Sequence, residues 1–225
     1  MASSLLTTSS MEGLHMMVRR QLMAVILMCI ARSAAAAPHD IPRTVSARIY
    51  DYAHFNSQQL QRAQRQVSET YAAAGVTLEW HRTVSPDLID AGKGRWPSDG
   101  VTTLSVVVLA AKMATRLGVL PDVAGYAPIT RDAGGRIAYV LGGRVRGIAI
   151  DGKVESWVVL AGVIIHEVAH LLMPEREHTS AGVMRANWNP AEFKRVPVQR
   201  FSEAEALSLR RTVSSLEGHV ARVAD

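Results

Sequence analysis

Nine apolar or glycine residues, Trp157 to Ile165, run straight into His166-Glu167-Val168-Ala169-His170, and this junction constrains the fold more than any other stretch of the chain. By residue preference the valine- and isoleucine-rich run reads as a strand. The two histidines require the opposite if they are to act together. Four residues apart on a helix, two imidazoles share one face with Cβ atoms roughly 5–6 Å apart, and both can reach one ion at about 2.0–2.1 Å. On a strand the same pair would lie about 13 Å apart and could share nothing. The metal-binding reading therefore predicts a helix through His170 that is apolar on every side and so must be buried. Glu167, between the histidines, does not ligate; its place is that of a general base towards a zinc-activated water. The competing reading is a pair of core histidines satisfied inside the protein, the pattern being accidental.

Two features downstream favour the metal. His178 lies beyond Pro174, which should stop the helix. The chain can then turn back and present a third imidazole, leaving a fourth position open as catalytic zinc sites require. The loop that follows, Ser180-Ala181-Gly182-Val183-Met184-Arg185-Ala186-Asn187-Trp188, pairs a glycine with a methionine at the spacing of a tight turn. Met184 is either packed beneath the ligands or ordinary core filler. Arg185 either brings positive charge to the site or is a solvated surface residue.

His166-Glu167, His170 and His178, followed by Gly182-Val183-Met184, resemble the metzincin clan of zinc metallopeptidases, with its HExxHxxGxxH helix and Met-turn. The likeness is closer still to secreted metzincin-like proteins of bacteria, through His178-Thr179-Ser180-Ala181-Gly182-Val183-Met184-Arg185-Ala186-Asn187-Trp188. Gly125-Tyr126-Ala127-Pro128 and Ala138-Tyr139-Val140 are similar as well. The chain departs from the clan at two places: the glycine position falls on Met173 and the third-histidine position on Arg176. Glu175 and Glu177 therefore stay open as ligands in place of His178. No tyrosine follows Met184 to stabilise an oxyanion. The resemblance implies a zincin-type architecture whose sheet edge, expected at Arg136–Leu141, lies along the cleft; the plain alternative for those residues is a hairpin.

Elsewhere, Thr44–Tyr50 and Val76–Trp80 read as strands and 57–74 as a helix closed by Gly75. The β-branched run at 101–109 reads as a buried central strand. Residues 85–100 are turn-rich, and 136–141 and 145–150 look like two short strands about Gly142-Gly143. Ser202-Glu203-Ala204-Glu205 is a capping box opening a helix to about Leu216. The expected fold class is α+β: one domain with a twisted mixed sheet, a buried active-site helix and a small C-terminal subdomain ending in a helix.

The 225 residues, 48% hydrophobic and 20% charged, suffice for a sizeable core and exclude a disordered chain. Residues 11–37 read as a secretory signal: Arg19 and Arg20, an apolar run from Leu22 to Ala31, then Ser33 and four alanines. Arg32 ends the apolar run after about ten residues, too few to span a bilayer as an anchor. Residues 1–37 are thus assigned as signal peptide and 38–225 as the catalytic domain. Cys29, the one cysteine, falls in the signal, so thiolate ligands, disulfides and cysteine nucleophiles are excluded from 38–225. Three arginines and one acid also fall there, which lowers the net charge from +5 to +3. With no basic run, nucleic acid is excluded as a partner.

The expectation is an exported monomer, periplasmic or extracellular, acting on a peptide or protein substrate. It would be a zinc endopeptidase with one ion on His166, His170 and His178, Glu167 as base and Met184 in the turn. The alternative is a zinc-containing cell-envelope binding protein without turnover. The remaining histidines, His39, His54, His81 and His219, are read as structural or surface residues.

Overall fold

The computed structural model describes residues 43–81, 103–118, 123–128, 136–173 and 177–223, with side chains described as far as 216. The proposed signal with Cys29, the turn-rich 85–100, Pro174 to Arg176, His39 and the His219 side chain lie outside the described residues. All the elements fall within the unit Pro42–Asp225.

Strand β1 (Arg43–Asp51), helix α1 (Ser57–Ala72) and strand β2 (Val76–His81) form a parallel crossover unit. The Asn56 side chain caps α1 by accepting the Gln59 amide at 2.8 Å, and Gly75 at φ +80° turns the chain into β2. Strand β3 (Thr103–Leu109) lies at the centre of the sheet, parallel to β1 on one side and to β5 (Ile137–Leu141) on the other. Its unbroken apolar run is explained by burial on both faces. Leu104, Val106 and Val108 join the main core, while Val107 and Leu109 pack with Tyr50, Ala114 and Leu141 on the reverse face. Short helix α2 (Ala111–Arg116) leads towards the two-residue strand β4 (Gly125–Tyr126), which closes the order β2-β1-β3-β5-β4 and pairs antiparallel with β5. The molecule is thus a mixed α/β fold on a five-stranded mixed sheet.

Two expectations are corrected. Residues 137–141 are not the sheet edge: β5 is paired on both sides, and among the described residues β4 is the edge. Nor do they form a hairpin with 145–150, which belongs to helix α3 (Gly142–Gly152). The valine- and isoleucine-rich stretch Val145–Ile150 beyond Gly142-Gly143 reads locally as a strand. The buried set, Val145, Ile148, Ala149 and Gly152, instead recurs at helical spacing, and Ile150 is left 77% exposed.

Helix α4 (Ser156–Leu172) carries the apolar run and the histidine pair, and buries thirteen of its seventeen residues. It lies among α1, α3, β5 and the 3-10 helix Pro190–Val198. The absence of a Cβ at Gly162 admits this neighbour: an added methyl would sit 2.9 Å from Val196 Cγ2 and 3.1 Å from the Phe193 ring. Helix α5 (Glu203–Val223) opens on the expected box, the Ser202 amide donating to Glu205 Oε2 at 2.7 Å, and continues past Leu216. Among the described residues no helix is long and apolar enough to cross a membrane.

Tyr71 fixes α4 against α1. Fully buried, it donates its hydroxyl to the Ile165 carbonyl at 2.8 Å, one residue before the first histidine. The Tyr71→Phe protein should lose about 1 kcal/mol, because that carbonyl keeps its intrahelical bond. The loss should appear in urea titration as a lower midpoint at unchanged slope.

Candidate metal centre

One helical turn on α4 puts His166 and His170 side by side, with Nε2 atoms 3.1 Å apart. The helix stops at Leu172 with Met173 as its cap, and the returning chain brings His178 Nε2 to 3.2 Å from His166 Nε2 and 3.1 Å from His170 Nε2. The rings of His166 and His178 are nearly parallel, at 11°, while that of His170 stands at 78° and 84° to them. All three nitrogens therefore face a common point.

The tautomer of His166 is set by its other nitrogen. Nδ1 lies 2.8 Å from the Val183 carbonyl, which can only accept, so Nδ1 carries the hydrogen and Nε2 presents a lone pair. Three Nε2 atoms at mutual hydrogen-bond distance cannot all be satisfied by protons shared in pairs. A tetrahedral cation with bonds of about 2.0–2.1 Å would place its ligands about 3.3–3.4 Å apart, within a few tenths of an ångström of the observed triangle. The donor set fits a divalent ion of the kind imidazoles bind. Among the described residues this is the one group of three or more such side chains able to hold an ion. Glu177 is exposed and outside the triangle, and Glu175 lies outside the described residues.

Electrostatics prepare the site for a cation. Burial, and then the neighbouring His166 and His178, push His170 down to about 4. Burial also lowers His166; the Val183 carbonyl opposes this and His178 adds to it. Both rings are thus neutral at pH 7, as ligation requires. Burial acts on Glu167 in the opposite sense and pushes its carboxyl up to about 8. A dication beside it would pull that value back down.

Edge strand β4 crosses directly over this carboxylate. A Cβ added at Gly125 would lie 2.8 Å from Glu167 Cγ, from Val163 Cγ1 and from the Tyr139 carbonyl oxygen, so only glycine permits the approach. Gly125 had entered the sequence reading only through the resemblance of Gly125-Tyr126-Ala127-Pro128; its role depends on a contact between segments some forty residues apart.

The loop after His178 ties the ligands together. The Thr179 amide donates to the Met184 carbonyl at 2.8 Å, Thr179 Oγ1 donates to the Ala181 carbonyl at 2.7 Å, and Gly182 turns the chain at φ +81°. Met184 and Val183 are buried in the core that holds α4. The Val183 carbonyl was not a sequence candidate, since a backbone oxygen carries no residue signature. Arg185 is not a free solvated cation: its guanidinium pairs with Glu192. Of the other histidines, His81 Nε2 meets Ser46 Oγ at 3.1 Å and His54 is exposed.

The histidine triangle opens on a cavity of ≈ 590 Å³. His166, Glu167, His170 and His178 line it, together with apolar Ile148, Val163, Trp188, Pro190 and Phe193.

No family model matches the chain, and no curated protein matches it. Among solved structures it is similar to the archaemetzincin of Methanopyrus kandleri, with 18% sequence identity and a TM-score of 0.45 over 76% of this chain and 95% of that one.

The purified protein should hold one equivalent of zinc. His178→Ala should abolish stoichiometric binding, and Gly182→Ala, strained at positive φ, should weaken it by about 10- to 100-fold in chelator competition through the displaced Val183 carbonyl.

A second prediction concerns the metal-free protein. Between pH 4.5 and about 8 the folded state holds a proton on Glu167 that the unfolded state has released, so this contribution to stability is lost as pH rises. His170 works in reverse: its contribution is lost as pH falls from 6.5 towards 4. In Glu167→Gln the alkaline loss should disappear and the acidic loss remain, as read from Tm against pH in the presence of chelator.

Proposed function

We propose that the protein is an exported, zinc-dependent endopeptidase of metzincin type, monomeric, periplasmic or extracellular, that hydrolyses peptide bonds. The observation that carries this reading is the triangle of three imidazole nitrogens, 3.1–3.2 Å on a side, beside a buried carboxylate at the end of an open cavity. A structural zinc site is closed by a fourth protein ligand. Here the described residues supply three, and the remaining side gives onto the cavity.

His166, His170 and His178 would hold zinc, which supplies Lewis acidity towards a substrate carbonyl and a water. Glu167 takes the proton from that water and returns it to the leaving amine. Burial, which raises the proton affinity of this carboxyl, suits it to both transfers near neutral pH. The outer edge of β4, at Gly125 and Tyr126, offers main-chain donors and acceptors to an extended peptide beside Glu167. The apolar wall of Ile148, Val163, Trp188 and Phe193 suits the cavity to an apolar side chain next to the scissile bond.

Glu167→Ala decides the reading. The variant should keep one zinc and lose at least about 100-fold in kcat on a peptide library, the usual scale for a removed general base. Hydrolysis at the wild-type rate by zinc-loaded Glu167→Ala would reject the base. A zinc-loaded wild type that cleaves no peptide would point instead to the binding protein without turnover.

A further inference from the structure

One side of the cavity is the stretch Ala186-Asn187-Trp188, which belongs to no helix or strand. A loop of this kind makes a well-defined wall only if its ends are held. A single carboxylate holds both. Glu192 pairs through Oε1 with the Arg185 guanidinium, at one end of the stretch. Its Oε2 accepts the Asn189 amide, at the other end, at 2.7 Å. The Glu192 amide returns a bond to Asn189 Oδ1 at 3.1 Å, completing the capping box of the 3-10 helix. Arg185 is itself bridged to Thr179, the neighbour of His178, so the clamp is continuous with the metal loop. Within the clamped stretch, Trp188 packs on Phe193, ring centroids 5.0 Å apart. Glu192 does not line the cavity.

Capping alone does not need this arrangement, because a glutamine at 192 would accept the Asn189 amide equally well. Nor does overall stability: the side chains of Arg185 and Glu192 are 41% and 23% exposed, and ion pairs of that exposure contribute little. What the charge adds is a second point of attachment across the wall. We propose that Glu192 is a positioning residue for substrate selection. By clamping Arg185 and Asn189 it holds Ala186-Asn187-Trp188 in place and sets which side chain the cavity accepts. This rests on the peptidase reading above, with the cavity as a side-chain site.

The test compares zinc-loaded wild type with Glu192→Gln, which retains the cap and loses the charge, and with Glu192→Ala, which loses both. Substrates are peptides differing only in whether Ala, Leu or Phe enters the cavity, and amide exchange is followed over 186–189. For Glu192→Gln, zinc content and Tm should match wild type and kcat should stay within about threefold. KM should rise about tenfold for the Leu and Phe peptides but not for Ala, with exchange faster by a similar factor, the scale of one lost charge-assisted hydrogen bond. Wild-type exchange and an unchanged KM series in Glu192→Gln would overturn the proposal. So would an equal loss on all three peptides, which marks a general structural role. If Glu192→Ala does not fold, Glu192→Gln decides alone. A wild type that holds zinc but cleaves none of the peptides overturns the peptidase reading and the selection role with it, while exchange still reports separately whether the clamp exists.

Discussion

Helix α4 has no polar face apart from its histidines and Glu167, and so has no stable position except inside the core. Its burial organises the rest of the molecule. Helix α1 covers one side and bonds to it through Tyr71, α3 lies on another, and the 3-10 helix closes against Gly162. The same burial makes the helix a rigid mount for His166 and His170, whose separation is then set by helical geometry and not by loop conformation. Only the third imidazole depends on a loop, and that loop is tied back to the first by the hydrogen bond from His166 Nδ1 to the Val183 carbonyl.

Burial also sets the chemistry of the centre. Removing water from His166, His170 and Glu167 acts on their protons in opposite senses: it drives those two imidazoles towards the neutral form and the carboxyl towards the protonated form. Neutral rings are ready to ligate, and a carboxyl with raised proton affinity is suited to exchange protons near neutral pH. A cation held by the three Nε2 atoms would return Glu167 towards its charged form.

Much of this was legible in the chain. The histidine spacing overruled the strand preference of Trp157–Ile165, correctly, because a shared ion imposes a stricter geometric condition than residue preference does. The β-branched run of β3 and the Gly75 and Ser202 signals are local effects, and local sequence carries them. The misreadings were equally specific. Residues 145–150, rich in valine and isoleucine, read like a strand yet form a helix, because the partners of Val145, Ile148 and Ala149 are α4 and the sheet and not a hairpin neighbour. The edge expected at 136–141 rested on the resemblance, and the two-residue strand at Gly125 and Tyr126 has too little length to show a period of two.

By itself, the sequence determined the chemical inventory: three imidazoles and a carboxylate at spacings that require a buried helix followed by a turn, with no thiol to compete outside the proposed signal. These are matters of residue identity and of separation along one continuous segment. Tertiary structure alone decided that His178, and not Glu177, completes the triangle. It also decided that a glycine some forty residues away lets the sheet edge pass over Glu167, and that Glu192 grips both ends of the cavity wall. Each of these is an approach between segments distant in the chain. Its distance is fixed by how the intervening elements pack, a quantity that no local pattern of residues encodes.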